Sequence, residues 1–314
     1  MYSPYLYARG TELLSLREIS STAVNVNGLL PVLEPVNSNA TALVTCLNAW
    51  NSDVVVILNP YQNDFSNGNN VNQFNQNISQ LITTKNNIIL GCLVKSGINF
   101  QSLTTWISSC GNKRVALIYD NAALTDAELQ TLASDPRITY HIILNNSLPQ
   151  HQYNYIPAIK SIFINDNFRK LARNADYNGS EFFTNQHQYI GRNCIGIGDY
   201  SITGKVLDLG GGQPSAIASH LIYKELSNNS IWVRHFVSSN TQRGAVDVAT
   251  MFIDVADQIT AHVPNYLSQY GNNIGLNNYY SCSQRKHSPG LAKNKQFQIT
   301  HHICLMLDII NGRI

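Results

Sequence analysis

The chain has 314 residues, 44% of them hydrophobic, enough to bury a full core as one large α/β domain or two ordinary ones. Charged residues make up only 13%, roughly half the usual ~25%, with Asn, Ser, Gln and Thr in their place, and the formal net charge is +2. A surface this weakly charged gives no global electrostatic ground for nucleic acid or an anionic membrane as partner, so any such binding has to be local.

The N-terminal stretch "MYSPYLYARGTELLSLRE" lacks a basic segment followed by an apolar one, and no apolar run approaches the ~18 residues that span a bilayer. The expectation is a cytoplasmic protein without membrane contact. The six cysteines, at 46, 92, 110, 194, 282 and 304, form no C-x-x-C pair and are expected to be reduced thiols.

Short apolar, β-branched runs recur along the chain: "SPYLYA" (3–8), "LLPVLE" (29–34), "VVVILN" (54–59), "IILGCLVK" (88–95), "VALIY" (115–119), "ITYHIIL" (138–144), "SIFIN" (161–165) and "CIGIG" (194–198). Most are continuous rather than alternating, as befits strands buried on both faces of a parallel sheet. Between them "TELLSLREI", "ATALVTCLNAW", "VNQFNQNISQLI", "FQSLTTWISSC" and "LTDAELQTLAS" read as helices, the last with Thr125 and Glu128 spaced as a capping box. Strand starts lie 23 to 34 residues apart, the length of a βα unit. Eight such units predict an α/β fold, a (β/α)8 TIM-like barrel, with an open doubly wound sheet as the alternative because sequence does not show closure.

After the eighth strand, 215–224 and 230–239 read as a β-hairpin, and 244–263 as a helix with Val248, Phe252, Val255 and Ile259 on one face. The glycine-rich stretch "DLGGGQPSA" (208–216) lacks the lysine and hydroxyl of a phosphate loop and reads as a turn or hinge. The expected organisation is a barrel over 1–263, including a hairpin insertion at 215–239, followed by a C-terminal extension over 264–314. That extension holds an exposed basic loop, "CSQRKHSPGLAKNK", and an apolar helix, "FQITHHICLMLDII", in which His301 and His302 face different ways.

In a barrel the C-terminal strand ends converge, whatever their separation in sequence. Here they carry Arg9, Glu34, Asn59, Lys95, Asp120, Asn165 with Asp166, and Asp199. Taken singly these are turn residues, and Glu34 and Asn59 each precede proline; together they predict a polar mouth. Glu34, Asp120, Asp166 and Asp199 are the candidate catalytic acids, with Glu34, Asp166 and Asp199 as oxygen ligands for Mg or Mn. Arg9, Asn59, Lys95 and Arg169 would hold a ligand's phosphate or carboxylate, and His220 or His235 would act as acid or base from the hairpin. In "SIFINDNFRKLARNADY" (161–177), Arg169 is expected between Asp166 and Asp199 as an Asp-Arg-Asp cluster, with Arg173 as the second cation. The alternative is that Asp166 caps a following helix.

The motifs "YSPYLYARGTELLSLREIS", "LPVLEPV", "ILNP", "NADY", "GIGDYSITG" and "HFVSS", in this order over most of 1–263, resemble a bacterial family of uncharacterised reaction related to the Beta protein family; "HH" at 301–302 extends the likeness. Such families are often encoded near restriction-endonuclease-like proteins, so the resemblance implies an antiphage defence role and a nuclease-like protein partner, and brings no reaction with it. Two functions stay open at this point. One is metal-dependent phosphodiester or nucleotide chemistry at the mouth, on a nucleotide or nucleic-acid ligand. The other is a non-catalytic barrel serving as sensor or scaffold.

Overall fold

In a computed structural model, residues 1–210 and 214–314 are described, and they form two compact units. The first comprises Met1–Gly10, Gly28–Asp166 and Gln186–Tyr200, and the second Thr11–Asn27, Asn167–Asn185 and Ser201–Ile314. The centre of the glycine-rich stretch, 211–213, lies outside the described residues.

In the first unit each β-branched run is a strand: β1 (Tyr5–Ala8), β2 (Val32–Pro35), β3 (Val54–Ile57), β4 (Ile88–Val94), β5 (Val115–Tyr119), β6 (Ile138–Leu144) and β7 (Ser161–Asn165). Strand β8 (Ser180–Thr184) belongs to the second unit, and β9 (Gly196–Asp199) is the eighth strand of the first. All eight pair parallel in the order β1 to β7, then β9. The edges meet through Tyr2, which bridges to both Leu29 and Ile197, with Ser3 N donating to Ile197 O at 2.8 Å and Ile197 N to Met1 O at 3.1 Å. The sheet is therefore a nearly closed (β/α)8 barrel.

Closure depends on two residues without side chains. A Cβ added to Gly198 would collide with the Ser3 carbonyl, and one added to Gly196 would lie 2.5 Å from the Met1 side chain. The glycines of "CIGIG" let the last strand come close enough to the first to bond.

The helices α2 (Thr41–Ala49), α3 (Val71–Thr84), α4 (Phe100–Ser109) and α5 (Asp126–Ser134) follow their strands as expected, and the Thr125–Glu128 capping box forms. Lys85 closes α2 by donating to the carbonyls of Leu47, Asn48 and Trp50. Cys92, Val94, Leu117, Tyr119 and Ile143 pack against Leu103, Ile107, Leu129 and Leu132, which marks these strand positions as the outer face. After β6 the pattern changes. Pro149 and Pro157 leave no room for an uninterrupted helix, and the chain forms only 3-10 turns at Gln150–Tyr155 and Ala158–Lys160. The Asn-rich composition serves the connections: of nine non-glycine residues with positive φ among the described ones, seven are Asn, the side chain that best tolerates that conformation.

The second unit contains α1 (Gly10–Ser20) from Thr11 onward, β10 (Ala218–Lys224), β11 (Ile231–Val237), α6 (Val248–His262), α7 (Leu267–Tyr270), α8 (Ile274–Arg285) and α9 (Leu291–Ile310). The hairpin β10–β11 forms as expected and gains a third antiparallel strand, β8, on the far side of β11. Phe252, Val255 and Ile259 of α6 are buried with Leu221, Phe236, Tyr279 and Phe297. Glu18 of α1 accepts from Asn278 (2.8 Å), Gln296 (3.1 Å) and Thr300 (3.0 Å), tying α1 to α8 and α9. The basic loop is largely helical: α8 continues to Arg285, Lys286 ends it at φ 48°, and α9 resumes at Leu291 after Pro289 and Gly290. Proline and a positive-φ glycine confine the break to a few residues.

No helix among the described residues is long and apolar enough to cross a membrane. All six cysteines are free. The tight approach at the barrel seam makes a direct prediction. Gly198→Ala is expected to lower the free energy of unfolding by about 1–3 kcal/mol through overpacking against the Ser3 carbonyl, read as a lower urea midpoint. Gly97→Ala, whose added carbon meets nothing within 4 Å, should be near neutral.

Candidate functional site

Strand alternation sorts the candidate residues of the first unit by face. The register pairs Tyr7 with Glu34, and Asn165 with Asp199. Following the ladder from the outer-face residues Val94, Tyr119 and Phe163 places Tyr5, Tyr7 and Glu34 on the barrel interior, and Asn165 and Asp199 on the outer face. Asp166, next along the chain from Asn165, turns to the opposite face and lies close enough to Tyr7 to add a minor electrostatic push to a hydroxyl whose pKa burial raises.

At the interior mouth, Glu34 is fully buried. Tyr5 Oη donates to its Oε2 at 2.6 Å and Gln62 Nε2 donates to the same oxygen at 3.1 Å, while Oε1 is buried without a hydrogen-bond partner among the described residues. Burial pushes the Glu34 carboxyl above its ordinary value, against the pull of hydrogen bonds from the Tyr5 and Gln62 side chains and the Tyr61 backbone and of the Lys95 charge. Lys95 lies 3.1 Å from the centroid of the Tyr61 ring and 3.9 Å from Asp120, and its side chain is 36% exposed. Tyr61 bonds the same Asp120, and burial pushes its hydroxyl up to about 12. Tyr200 packs 4.9 Å from Tyr5 and accepts from Asn145 at 3.3 Å. The mouth is thus a tyrosine-lined cup holding Glu34, Asp120 and Lys95. Its tyrosines were not among the candidates, although Tyr5 and Tyr7, two apart in a strand, necessarily share a face.

Several expectations need correction. Asp199 is fully buried and accepts from Tyr2 Oη at 2.9 Å, on the face opposite the cup. The expected metal set, Glu34, Asp166 and Asp199, is split by strand alternation, and among the described residues no three His, Cys, Asp or Glu side chains are placed to hold a metal ion. Mg or Mn binding by these groups therefore has no support in the geometry. Asn59 donates to Leu93 O (2.9 Å) and accepts from Leu93 N (2.7 Å), extending the sheet ladder rather than facing a ligand. Arg169 pairs with Glu181 at 2.6 Å and Arg173 with Asp176 at 2.6 Å, so the Asp-Arg-Asp cluster does not form. The chain after Asp166 has no helix for it to cap, only a 3-10 turn at Asn174–Asp176. Arg9 stands half-buried at the end of β1.

In the second unit the register sets His220 opposite His235, and their Nδ1 atoms lie 2.8 Å apart. Two facing ring nitrogens share one proton, one donating and the other accepting. His235 Nε2 lies 3.4 Å from Glu181, which also holds Arg169, and the rings of Phe168 and Tyr177 pack on His220 at 4.9 and 4.4 Å. Burial pushes His220 down to about 3, and lowers His235 against the opposing pull of Glu181. This pair is a neutral, proton-sharing element of the hairpin. His301 and His302 are fully buried, His301 bonded to Ile222 O and Asn273.

No family model, curated protein or solved structure matches this chain.

The two titrating elements predict opposite pH effects. A carboxyl whose folded pKa is raised contributes stability below its unfolded pKa and loses it as pH rises. Glu34→Gln should therefore be more stable than the parent at pH 7, with the advantage shrinking below pH ~4.5, as urea midpoints will read. For His220 the unfolded chain takes up a proton below pH ~6.5 that the folded pair refuses. Stability should fall from there toward pH 3 by up to about 1.4 kcal/mol per pH unit, and His220→Asn should flatten that slope.

Proposed function

We propose that the barrel mouth is a site for a phosphodiester or nucleotide ligand, with Glu34 as general acid or base and Lys95 as the group that meets the anion. The observation that carries this reading is the Glu34 carboxyl, buried at the C-terminal end of a barrel strand with Oε1 unpartnered and its pKa raised. A carboxyl whose pKa is raised by burial holds its proton more readily than an exposed one, which suits a group that gives a proton to a leaving oxygen or takes one from a nucleophile. Lys95 is exposed enough to meet a ligand, and Asp120 and the Tyr61 ring hold its ammonium in place. No step in this reading passes through a metal ion.

The likeness of the motifs from "YSPYLYARGTELLSLREIS" to "HFVSS" supports an antiphage role in bacteria, in which the protein works with a nuclease-like partner. A second reading makes the barrel a sensor or scaffold that binds the ligand without turning it over and passes the signal to that partner. The tyrosine clamp favours it, because the Tyr5 hydroxyl and the Gln62 amide both engage Glu34.

Calorimetry and turnover with nucleotides and short phosphodiesters, in the presence of EDTA, separate the readings. In the enzyme reading the parent turns a ligand over, Glu34→Gln binds it but is inactive, and Lys95→Ala binds at least about tenfold more weakly. In the sensor reading Lys95→Ala weakens binding alike and no turnover is seen. If nothing in the panel binds, or both variants bind as the parent does, the mouth is not the site. Loss of protection against phage by Lys95→Ala in cells tests the defence role separately.

A further inference from the structure

The first unit has a second concave site on the outer face of its sheet. Where a barrel helix would follow β6, the prolines at 149 and 157 leave 3-10 turns, and only the short turn Gln186–Tyr189 stands between residues 185 and 190 before β9. The outer faces of β7 and β9 are thereby left at a cavity of about 630 Å³, within the size range of small-molecule sites. Its wall includes Ser161, Phe163 and Asn165, the outward-facing residues of β7.

The lining is unusual in chemistry. Six of its side chains are carboxamides, among them Asn146, Asn165 and Gln186; three are aromatic, Tyr153, Phe163 and Tyr189; none is charged. Asn165 is only 8% exposed, and its Nδ2 is buried with no hydrogen-bond partner among the described residues. A buried amide donor left unsatisfied is rare and marks a position where a partner is missing. Tyr189, by contrast, is 46% exposed, a large ring offered at the edge of the cavity.

We infer that this cavity binds a neutral saccharide. A phosphate, carboxylate or ammonium group entering it would lose water and find no charged side chain in the lining to pair with, which costs more than hydrogen bonds to neutral amides return. Carboxamides both donate and accept, as hydroxyl groups do, so a wall of them suits a polyol presenting many hydroxyls rather than a group needing one or two contacts. The aromatic faces suit the apolar C–H face of a sugar ring. A flat nucleobase fits less well: Tyr153 and Phe163 meet at 68° with centroids 5.4 Å apart, an edge-to-face corner and not a parallel slot. This site shares no residue with the cup around Glu34, and its test is independent of the function proposed there.

The test is calorimetric titration of the full chain with neutral mono- and disaccharides, alongside uronic acids, nucleosides and short neutral peptides. Binding of a neutral saccharide is expected, weakened about tenfold or more in Tyr189→Ala, whose exposed ring should leave the melting temperature unchanged. Asn165→Leu removes the amide while keeping the volume, and is expected to weaken binding similarly while melting no lower than the parent, since the lost donor made no bond. Absence of any saccharide binding at millimolar concentration overturns the inference. So does binding confined to the charged ligands, nucleosides or peptides, or saccharide binding that both variants retain in full.

Discussion

The backbone of the eighth strand approaches the first closely enough to exchange hydrogen bonds, and the rest of the first unit depends on that approach. Ile197 bonds the main chain of Met1 and Ser3, and the flanking Gly196 and Gly198 carry no Cβ to hold the strands apart. Pairing the two edges removes the unsatisfied row of amides and carbonyls that an open parallel sheet would present. It also converts a linear series of strand ends into a ring, which is why Tyr5 of the first strand and Tyr200, just beyond the last, come to lie 4.9 Å apart.

Once the ring exists, the period-two alternation of each strand decides which polar ends share a space. Glu34, Tyr5 and Tyr7 face inward together. Asp199 faces outward to Tyr2. The carboxyls are therefore distributed into separate hydrogen-bonded niches, and each niche supplies a tyrosine hydroxyl to the acid it buries: Tyr5 to Glu34, Tyr2 to Asp199, Tyr61 to Asp120. A neutral donor stabilises a buried acid without importing a second charge, which suits a chain whose charged content is only 13%. Lys95 is the exception, a cation set against Asp120 and over the Tyr61 ring.

The departures from barrel regularity have local causes. Prolines 149 and 157 interrupt the segment after β6, and the cavity beside β7 and β9 follows from the missing helix. Asparagines take the left-handed positions in the connections. In the second unit the antiparallel register of β10 and β11 sets two histidines face to face, and apolar and aromatic neighbours keep the pair neutral. Glu181, from the strand that joins the hairpin, then serves both His235 and Arg169.

Much of the fold was legible because its signals are local. Continuous β-branched runs, their βα spacing, the Thr125–Glu128 cap and the amphipathic face of 248–259 all act within a few residues of one another. The third strand of the hairpin sheet was not legible: "SEFFT" is short and half-exposed, and only its pairing with β11 makes it a strand. Of the site, the sequence by itself determined that polar residues end the strands. Which of them meet was decided by register and closure. Asn165 and Asp166 are adjacent in the chain and part to opposite faces, while Tyr5 and Glu34 are 29 residues apart and are joined by a 2.6 Å hydrogen bond. A chain specifies residue types in order, but a site is a set of distances, and those exist only when the sheet has closed.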